Sequence, residues 1–577
     1  MKNSFKNGKD KFFVELIKPS HYDNDGYVIQ WWRSFSISNS LSCLYSLTLD
    51  SAERKILGED VEIIANLHDE YSTVIPIPAI IRRIRQKGNR GVIALVGVQT
   101  NQFPRSVDIA RSFREASIPV VIGGFHVSAA IAVLTEIPPD AQKALGMGIT
   151  LFSGEAEGHL DQLLSDAYHQ KLKPVYNVAN DLPDLRGQPT PLLPQEIIEK
   201  SLSSDIAVDT GRGCPFGCSF CTIINIQGQT SRFRTADDVE RMVRSYPRKG
   251  GKTPHFFFTD DNFARNRNWE AIFDRLIELR ETKSFKLKFG MQIDANAHKI
   301  PRFIDKAARA GCNTVFIGME SINKENLKAA NKTQNNVAEY RKMLMIWRSN
   351  RVVTMAGYIL GFPEDTPGSI ENDIRTIQQE LPIDILMFFM LVPLPGSMDH
   401  KGILQRGEWM ESDMNKYDSE HATIKHPKMT REEWEGVFRK AWDIFYSPKH
   451  VKKVLRRANR DGISPSRLIW RLLTCQFGIK YENAHPFQWC LQEKSTLPET
   501  VGYASRESAP LLLPPDMGNW ENYFAPFDLH LEVGKVEKKY QKGYQGTSNK
   551  ITNISINTYL ISSCEHHFLQ YIDKYYF

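Results

Sequence analysis

The chain has 577 residues, 41% of them hydrophobic and 24% charged, with a mean hydropathy of -0.37. That length exceeds what one hydrophobic core usually organises, and the composition excludes a disordered or membrane-spanning chain. With 73 basic and 67 acidic residues the formal charge is +6, too small and too dispersed to point to nucleic acid.

The N-terminal stretch MKNSFKNGKDKFFVELIKPS lacks the apolar run of a signal peptide, and no span of about 18 apolar residues occurs anywhere, so a cytoplasmic protein is expected. From Phe12 to Leu182 short apolar strands alternate with helical stretches, the pattern of a doubly wound parallel sheet. The clearest unit runs from a strand at Val92 to Val98, through a polar loop and a helix at Pro104 to Glu115, into a strand at Pro119 to Ile122. A further strand at Ile149 to Phe152 leads through Gly154 and Glu155 to a helix at His159 to Tyr168, so glycine and polar residues gather where such sheets bind ligands.

The Pro-rich stretch Asp181 to Pro194 breaks this periodicity and reads as a linker. Beyond it strand and helix alternate six times. The strands are expected at Ile206 to Thr210, His255 to Asp260, Leu287 to Ile293, Thr314 to Gly318, Val352 to Leu360 and Ile385 to Val392. Six parallel strands suggest a barrel. Thr235 with acidic Asp237 and Asp238, and Pro301 with Gly311, mark the ends of intervening helices. Further on, Thr430 and Glu433 form a capping box for a helix whose Trp434, Phe438 and Trp442 make a core stripe. The basic segment Lys449 to Arg460 and the amphipathic Leu468 to Phe477 are expected to cover the barrel, with docking on a membrane surface as the alternative. The expected division is residues 1–182, a linker at 183–200, a barrel at 201–400, a mainly helical region at 401–533 and an unassigned tail at 534–577.

The chemistry concentrates in one short run. Residues Gly211 to Cys221 read GRGCPFGCSFC, placing Cys214, Cys218 and Cys221 at C-x3-C-x2-C spacing directly after the first barrel strand. Chance would produce that spacing about 0.0015 times in a chain of this composition. Structural zinc wants four ligands in paired units, and no second pair exists. Three thiolates suit a cubane of four irons with one iron left open for a chelating ligand. Gly213 and Gly217 let the loop wrap closely. Cys43, Cys312, Cys475, Cys490 and Cys564 lie alone and read as small buried apolar residues.

The cysteine loop at the end of a first barrel strand resembles the radical S-adenosylmethionine (SAM) superfamily, whose fold is a partial TIM barrel. The resemblance implies a 4Fe-4S cluster on Cys214, Cys218 and Cys221. Its open iron binds the amino and carboxylate groups of SAM, and reductive cleavage gives a 5'-deoxyadenosyl radical. The remaining strand ends fit in order. Asp260 or Asp261 stands where the family holds the SAM amino group, and Gln292 and Asp294 resemble the polar pair near carboxylate and ribose. Glu320 and Ser321 lie in a G-x-E-S-like turn, Gly357 and Gly361 in the G-x-x-x-G-x-P stretch beside adenine, and Pro393 to Ser397 in a P-x-P-G-[ST] turn.

Upstream, Val96 to Thr100, Val121 to His126 and Gly154 to Glu157 resemble the cobalamin-binding domain joined to many such enzymes. This implies contacts from Thr100, Gly123, Gly124, Gly154 and Glu155. The D-x-H-x-x-G motif of many corrinoid proteins is absent, so cobalt would lack that histidine, and His126 is expected to be structural. The fold class is therefore α/β: an N-terminal doubly wound Rossmann-like domain, a partial (β/α)6 TIM barrel and a helical C-terminal extension. The function implied is a cobalamin-dependent radical SAM methyltransferase acting at an unactivated carbon. A ring-forming or rearranging radical enzyme and a non-catalytic iron-sulfur redox protein are the alternatives. An external electron donor such as flavodoxin or ferredoxin is implied, and a small-molecule substrate that the apolar C-terminal helices allow to be lipid-like. The polar and aromatic segment from His400 through Trp409 to His421 is a candidate cap for the barrel mouth.

Overall fold

A computed structural model describes residues 10–31, 38–86, 89–134, 136–199, 205–246, 254–477 and 492–494. Cys490, Cys564 and the 534–577 tail lie outside the described residues. The elements below belong to one compact unit that takes in residues up to 446 and resumes at 454, except that the first turns of the helix Pro448–Arg460 fall in a second unit, which includes residues 447–453.

Two six-stranded parallel sheets dominate. The N-terminal sheet has its first strand, Asp10–Lys18, between Val61–Asp69 and Asn89–Leu95, followed outward by Val120–Gly123, Thr150–Ser153 and Val175–Asn177. Asp10–Lys18 is buried almost throughout, as a central strand covered on both faces must be. Its one interior acid, Glu15, is fully enclosed and bonded by Asn66, His68 and Arg83, which hold its carboxyl below the usual range although burial pushes it the other way.

The second sheet carries Asp205–Val208, His255–Phe258, Lys288–Asp294, Cys312–Glu320, Val353–Leu360 and Ile385–Met390 in strictly sequential order. The first and last of these do not pair with each other, so the barrel is partial. Sequential parallel order requires a crossover between neighbours, and the local signals for those crossovers operate as expected. Thr235 accepts from the Asp238 N–H while the Asp238 carboxylate accepts from the Thr235 N–H, and Gly311 closes its helix at φ +111°. Thr430 and Glu433 cap Arg431–Phe445, whose Trp434, Phe438 and Trp442 are buried.

The helices Pro448–Arg460 and Pro465–Phe477 settle one alternative. Val454, Leu455 and Ala458 of the former, and Leu468, Ile469, Leu472 and Leu473 of the latter, are buried. Cys475 lies 3.8 Å from Met387 on the sixth barrel strand. The apolar faces that a lipid surface would need are thus spent on covering protein. Among the described residues no helix is long and apolar enough to cross a membrane. Cys43, Cys312 and Cys475 are buried, as expected of isolated cysteines.

Candidate active site

The cysteine loop is bound down at both ends and along its length. It begins in a short antiparallel pairing of Gly211–Arg212 with Arg232–Phe233. Gly213 then takes φ +94°, and a Cβ there would lie 2.6 Å from the Thr230 carbonyl oxygen, so only glycine passes. The Gly213 N–H donates to Asp261 at 2.7 Å, the Cys214 N–H to the Gly228 carbonyl at 3.2 Å and the Ser219 N–H to the Ala330 carbonyl at 3.0 Å. The Asn331 amide donates to the Gly217 carbonyl at 2.6 Å.

Each sulfur has N–H donors: the Phe216 backbone and the Asn262 amide for Cys214, the Gln334 amide at 3.5 Å for Cys218, and the Ile223 backbone for Cys221. Donors of this kind stabilise cluster-bound thiolates and set the potential of the iron they ligate. Without metal, burial pushes the Cys214 thiol up and the Cys221 thiol up to about 12, so loading a cluster must displace protons. No trio of His, Cys, Asp or Glu among the described residues closes on a single metal ion. A cubane needs only one thiolate per iron, and the three cysteines of one loop supply three. The donor set therefore fits the implied cluster.

The barrel rim brings several expected SAM-side residues into one row. Asp294 pairs with Gly318 across one strand boundary and Gly318 with Gly357 across the next, while a register shift after Gly318 swings Glu320 out opposite Tyr358. Glu320 has φ +62°, a conformation that costs a non-glycine residue and persists only when its surroundings hold it. Here Lys332 does so through an ion pair, with its ammonium 5.7 Å from the centre of the Phe220 ring. Burial works against the Lys332 charge, but Glu320, Cys218 and their neighbours outweigh it and raise the pKa.

Asp260 and Asp261, which the sequence does not separate, have different surroundings. Asp260 is buried, accepts from the Thr210 N–H and hydroxyl and from Asn266, and is pushed up to about 6 by burial. Asp261 accepts from Gly213 and, in the orientation that satisfies both ends of its amide, from Gln227 at 2.6 Å; burial pushes it up to about 7. Asp261 is thus the acid beside the cysteine loop, and Asp260 braces the first two strands. Asp294 takes a bidentate contact from Arg265, both bonds 2.8 Å, and Arg265 stacks on Phe216 of the loop. Ser321 is buried and accepts from the Asn323 N–H, Gln292 is half-buried on its strand, and Gly361 lies against Trp434.

Along the C-terminal edge of the first sheet, the glycines serve their own backbone. A Cβ on Gly124 (φ +146°) would lie 2.1 Å from the Val98 nitrogen, and one on Gly154 (φ +113°) 2.8 Å from the Ala179 nitrogen. Gly123 meets nothing closer than 3.4 Å. Thr100 lies 3.4 Å from His126 Nδ1, and Asp140 2.7 Å from Nε2, so both ring nitrogens of this buried histidine have partners. Glu155 is bonded by Arg212 and Arg232 of the cysteine-loop hairpin.

The two edges meet at the turn after the sixth barrel strand. A Cβ on Gly396 would lie 2.7 Å from the Ala129 side chain, the Gly396 carbonyl accepts from Asn225 at 2.7 Å, and Asp399 bonds Ser219 through both its N–H and its carboxylate. His400, next in the chain, is buried, and its Nδ1 has no hydrogen-bond partner among the described residues. Burial and then the nearby His126 push its pKa down to about 4. The folded protein therefore resists a proton that the unfolded chain accepts near pH 6.5, and stability is lost as pH falls from there toward 4. Wild type is expected to lose about 2 kcal/mol more than His400→Gln between pH 7 and pH 5, measured by urea unfolding; parallel curves for the two proteins would refute this.

Lys332, Asn331 and Gln334 were not singled out in the sequence, nor were Arg212 and Asp399. The first three lie in an ordinary-looking polar run, ANKTQN, whose closeness to cysteines more than 100 positions earlier is a tertiary fact.

Residues 208–377 match the radical SAM superfamily model. The bacteriochlorophyllide d C-8(2)-methyltransferase of Chlorobaculum tepidum is 27% identical over 59% of this chain and 75% of its own length. The hopanoid C-2 methylase of Rhodopseudomonas palustris is 26% identical over 65% of this chain and 71% of its own. Among solved structures, the radical SAM methyltransferase TsrM from Kitasatospora setae, bound to tryptophan and a SAM analogue, gives a TM-score of 0.55 at 14% identity, covering 75% of this chain and 89% of its own. The cobalamin-dependent SAM radical enzyme OxsB with aqua-cobalamin gives 0.54 at 14% identity, covering 81% of this chain and 72% of its own. At such identities these two share the fold.

Proposed function

We propose that this chain, a member of the radical SAM superfamily, is a cobalamin-dependent methyltransferase that alkylates an unactivated carbon of an extended, apolar small molecule. The observation that carries the reading is the approach of Gly396, after the sixth barrel strand, to Ala129 in the helix Phe125–Ala132 that follows a strand of the first sheet; a corrin at that edge would then lie within reach of a cluster on the cysteine loop. Both relatives reported above are named as methylating enzymes, one for a bacteriochlorophyllide and one for a hopanoid. Met398, Leu404 and Trp409, in the segment after the sixth strand, are exposed apolar side chains that an apolar substrate could cover.

When bound, the cluster supplies the electron that cleaves SAM, and cobalamin carries the transferable methyl group. The chain supplies placement. Cys214, Cys218 and Cys221 would hold three irons of the cluster, Asp261 beside their loop would offer an acceptor for the SAM amino group, and Lys332, paired with Glu320 and close enough to Cys218 and Cys221 to feel their charge, would offer a cation for its carboxylate. Gly357 makes room at the rim for the Phe316 ring and Glu320, which a Cβ there would approach to 3.1 and 3.6 Å.

The test is anaerobic reconstitution with iron and sulfide, with and without hydroxocobalamin, followed by reduction in the presence of SAM. Deoxyadenosine release together with corrin absorbance retained through desalting supports the reading. Deoxyadenosine without retained corrin removes cobalamin from it, and an intact cluster that leaves SAM uncleaved overturns it.

A further inference from the structure

Three arginines and three acids bind the SGEAE loop of the first sheet to the root of the cysteine loop. Arg212, two residues before Cys214, reaches Glu155 at 2.6 Å, Glu157 at 2.7 Å and Asp209 at 2.8 Å. Arg232, on the paired strand of the same hairpin, bonds Glu155, and Arg234 lies 3.5 Å from Asp209. All six side chains are between 2% and 13% exposed, and the charges balance, three against three. Burial alone would discourage charge on Glu157 and Asp209, yet the arginines hold both carboxyls below the usual range.

Buried ion pairs are a poor source of net stability, because removing the charges from water costs about as much as their attraction returns. What forked, charge-assisted bonds provide is direction and register. Other bonds also cross between these parts: the Leu192 N–H of the connecting stretch donates to Ser46 at 2.8 Å, and the Cys43 thiol lies 3.6 Å from Asp209. These do not reach the SGEAE loop, which the arginines alone join to the cysteine-loop hairpin in the bonds given above. The Gly396–Ala129 approach is an apolar contact with no directional bond.

We infer that Arg212 is a positioning residue whose buried ion-pair network sets the separation between the corrin edge of the first sheet and the iron-sulfur loop of the barrel. The inference rests on the cobalamin reading above. The bonds of Arg212 go to protein side chains, so it acts through Glu155 and Glu157 on one side and through Gly213 and Cys214 on the other. Two centres that must serve one reaction tolerate little slack, since a misplacement of about 1 Å is enough to cost a large factor in rate.

The experiment is pulsed dipolar EPR between the reduced cluster and cob(II)alamin in the reconstituted full chain, on wild type, Arg212→Gln, Arg212→Lys and the double variant Arg232→Gln/Glu155→Gln. The double variant removes one charge of each sign, so it remains informative if Arg212→Gln does not fold. Wild type is expected to give one narrow distance. Arg212→Gln and the double variant are expected to shift or broaden it by about 1 Å or more, with the cluster's own g-values unchanged. Arg212→Lys keeps the charge but not the fork, and should recover the wild-type distance only in part. A network that merely held the fold together would lower the unfolding temperature and leave the distance of the folded fraction where it was. Superimposable distributions in wild type and folded variants overturn the inference and leave the function standing. Wild type that retains no corrin overturns the reading beneath it.

Discussion

Cys218→Ala is expected to abolish deoxyadenosine formation and bleach the cluster's visible absorbance together, because the most buried of the three ligands is lost and only two anchored irons remain. Gln334→Leu tests the same sulfur from outside. Its amide donates to Cys218 at 3.5 Å, so the variant should keep its iron content while its reduction potential moves to more negative values. Donation to a thiolate stabilises the electron-rich reduced state, and losing the donor makes the electron harder to add. Iron content, absorbance and a redox titration separate the two variants. Cys218→Ala that still cleaves SAM would remove this cysteine from the ligand set.

How far the site can be read from residues alone follows from sequence distance. The C-x3-C-x2-C run is local, so its chemistry is legible in eight consecutive letters, as are the capping boxes at Thr235 and Thr430. Strand positions are legible because Phe256, Val315, Ile317 and Leu386 belong to short apolar runs that a helix pattern would not produce. Boundaries drift by a few residues. Where Val92 to Val98 was expected the strand is Asn89–Leu95: the Val96 N–H still donates to the Ile17 carbonyl, but Val98 is bonded to the Gly123 carbonyl and the His126 N–H of the following turn.

What stayed hidden is pairwise and long-range. Glu155 reads as a polar group at a strand end, where ligands bind; its destination is two arginines 57 and 77 positions away, and nothing local distinguishes the two fates. Asp260 and Asp261 are adjacent and chemically identical in the sequence, and only the turn after the second barrel strand sends one to Thr210 and the other to Gly213. Glycines were misleading in another way. Gly124 and Gly154 suggest room for a flat ligand, whereas each is required by backbone of its own domain, which says nothing for or against a corrin nearby.

Gly361 is a strand-end glycine whose requirement is absolute, and Gly361→Ala is expected to destabilise the protein by about 4 kcal/mol. Two costs add. The residue sits at φ +104°, where a side chain is strained, and a Cβ there would lie 2.0 Å from the Trp434 indole. The indole cannot withdraw, because it is fully buried and its Nε1–H donates to the Leu360 carbonyl at 3.1 Å. Asp365 holds the glycine from the other side by accepting from both the Gly361 and Phe362 N–H groups. Trp434→Ala should cost about 4 kcal/mol by leaving a cavity. The double variant should cost about 2 to 3 kcal/mol less than the sum, because without the indole the new methyl has space and only the backbone strain remains. Urea unfolding of the four proteins measures this coupling, and strict additivity would mean that the glycine is needed for its φ alone. The distinction bears on activity, since this strand carries Gly357 to the rim beside Gly318. A strand end clamped between an indole and an aspartate holds that rim still, and a clamp opened by Gly361→Ala should weaken SAM binding even in the fraction that folds.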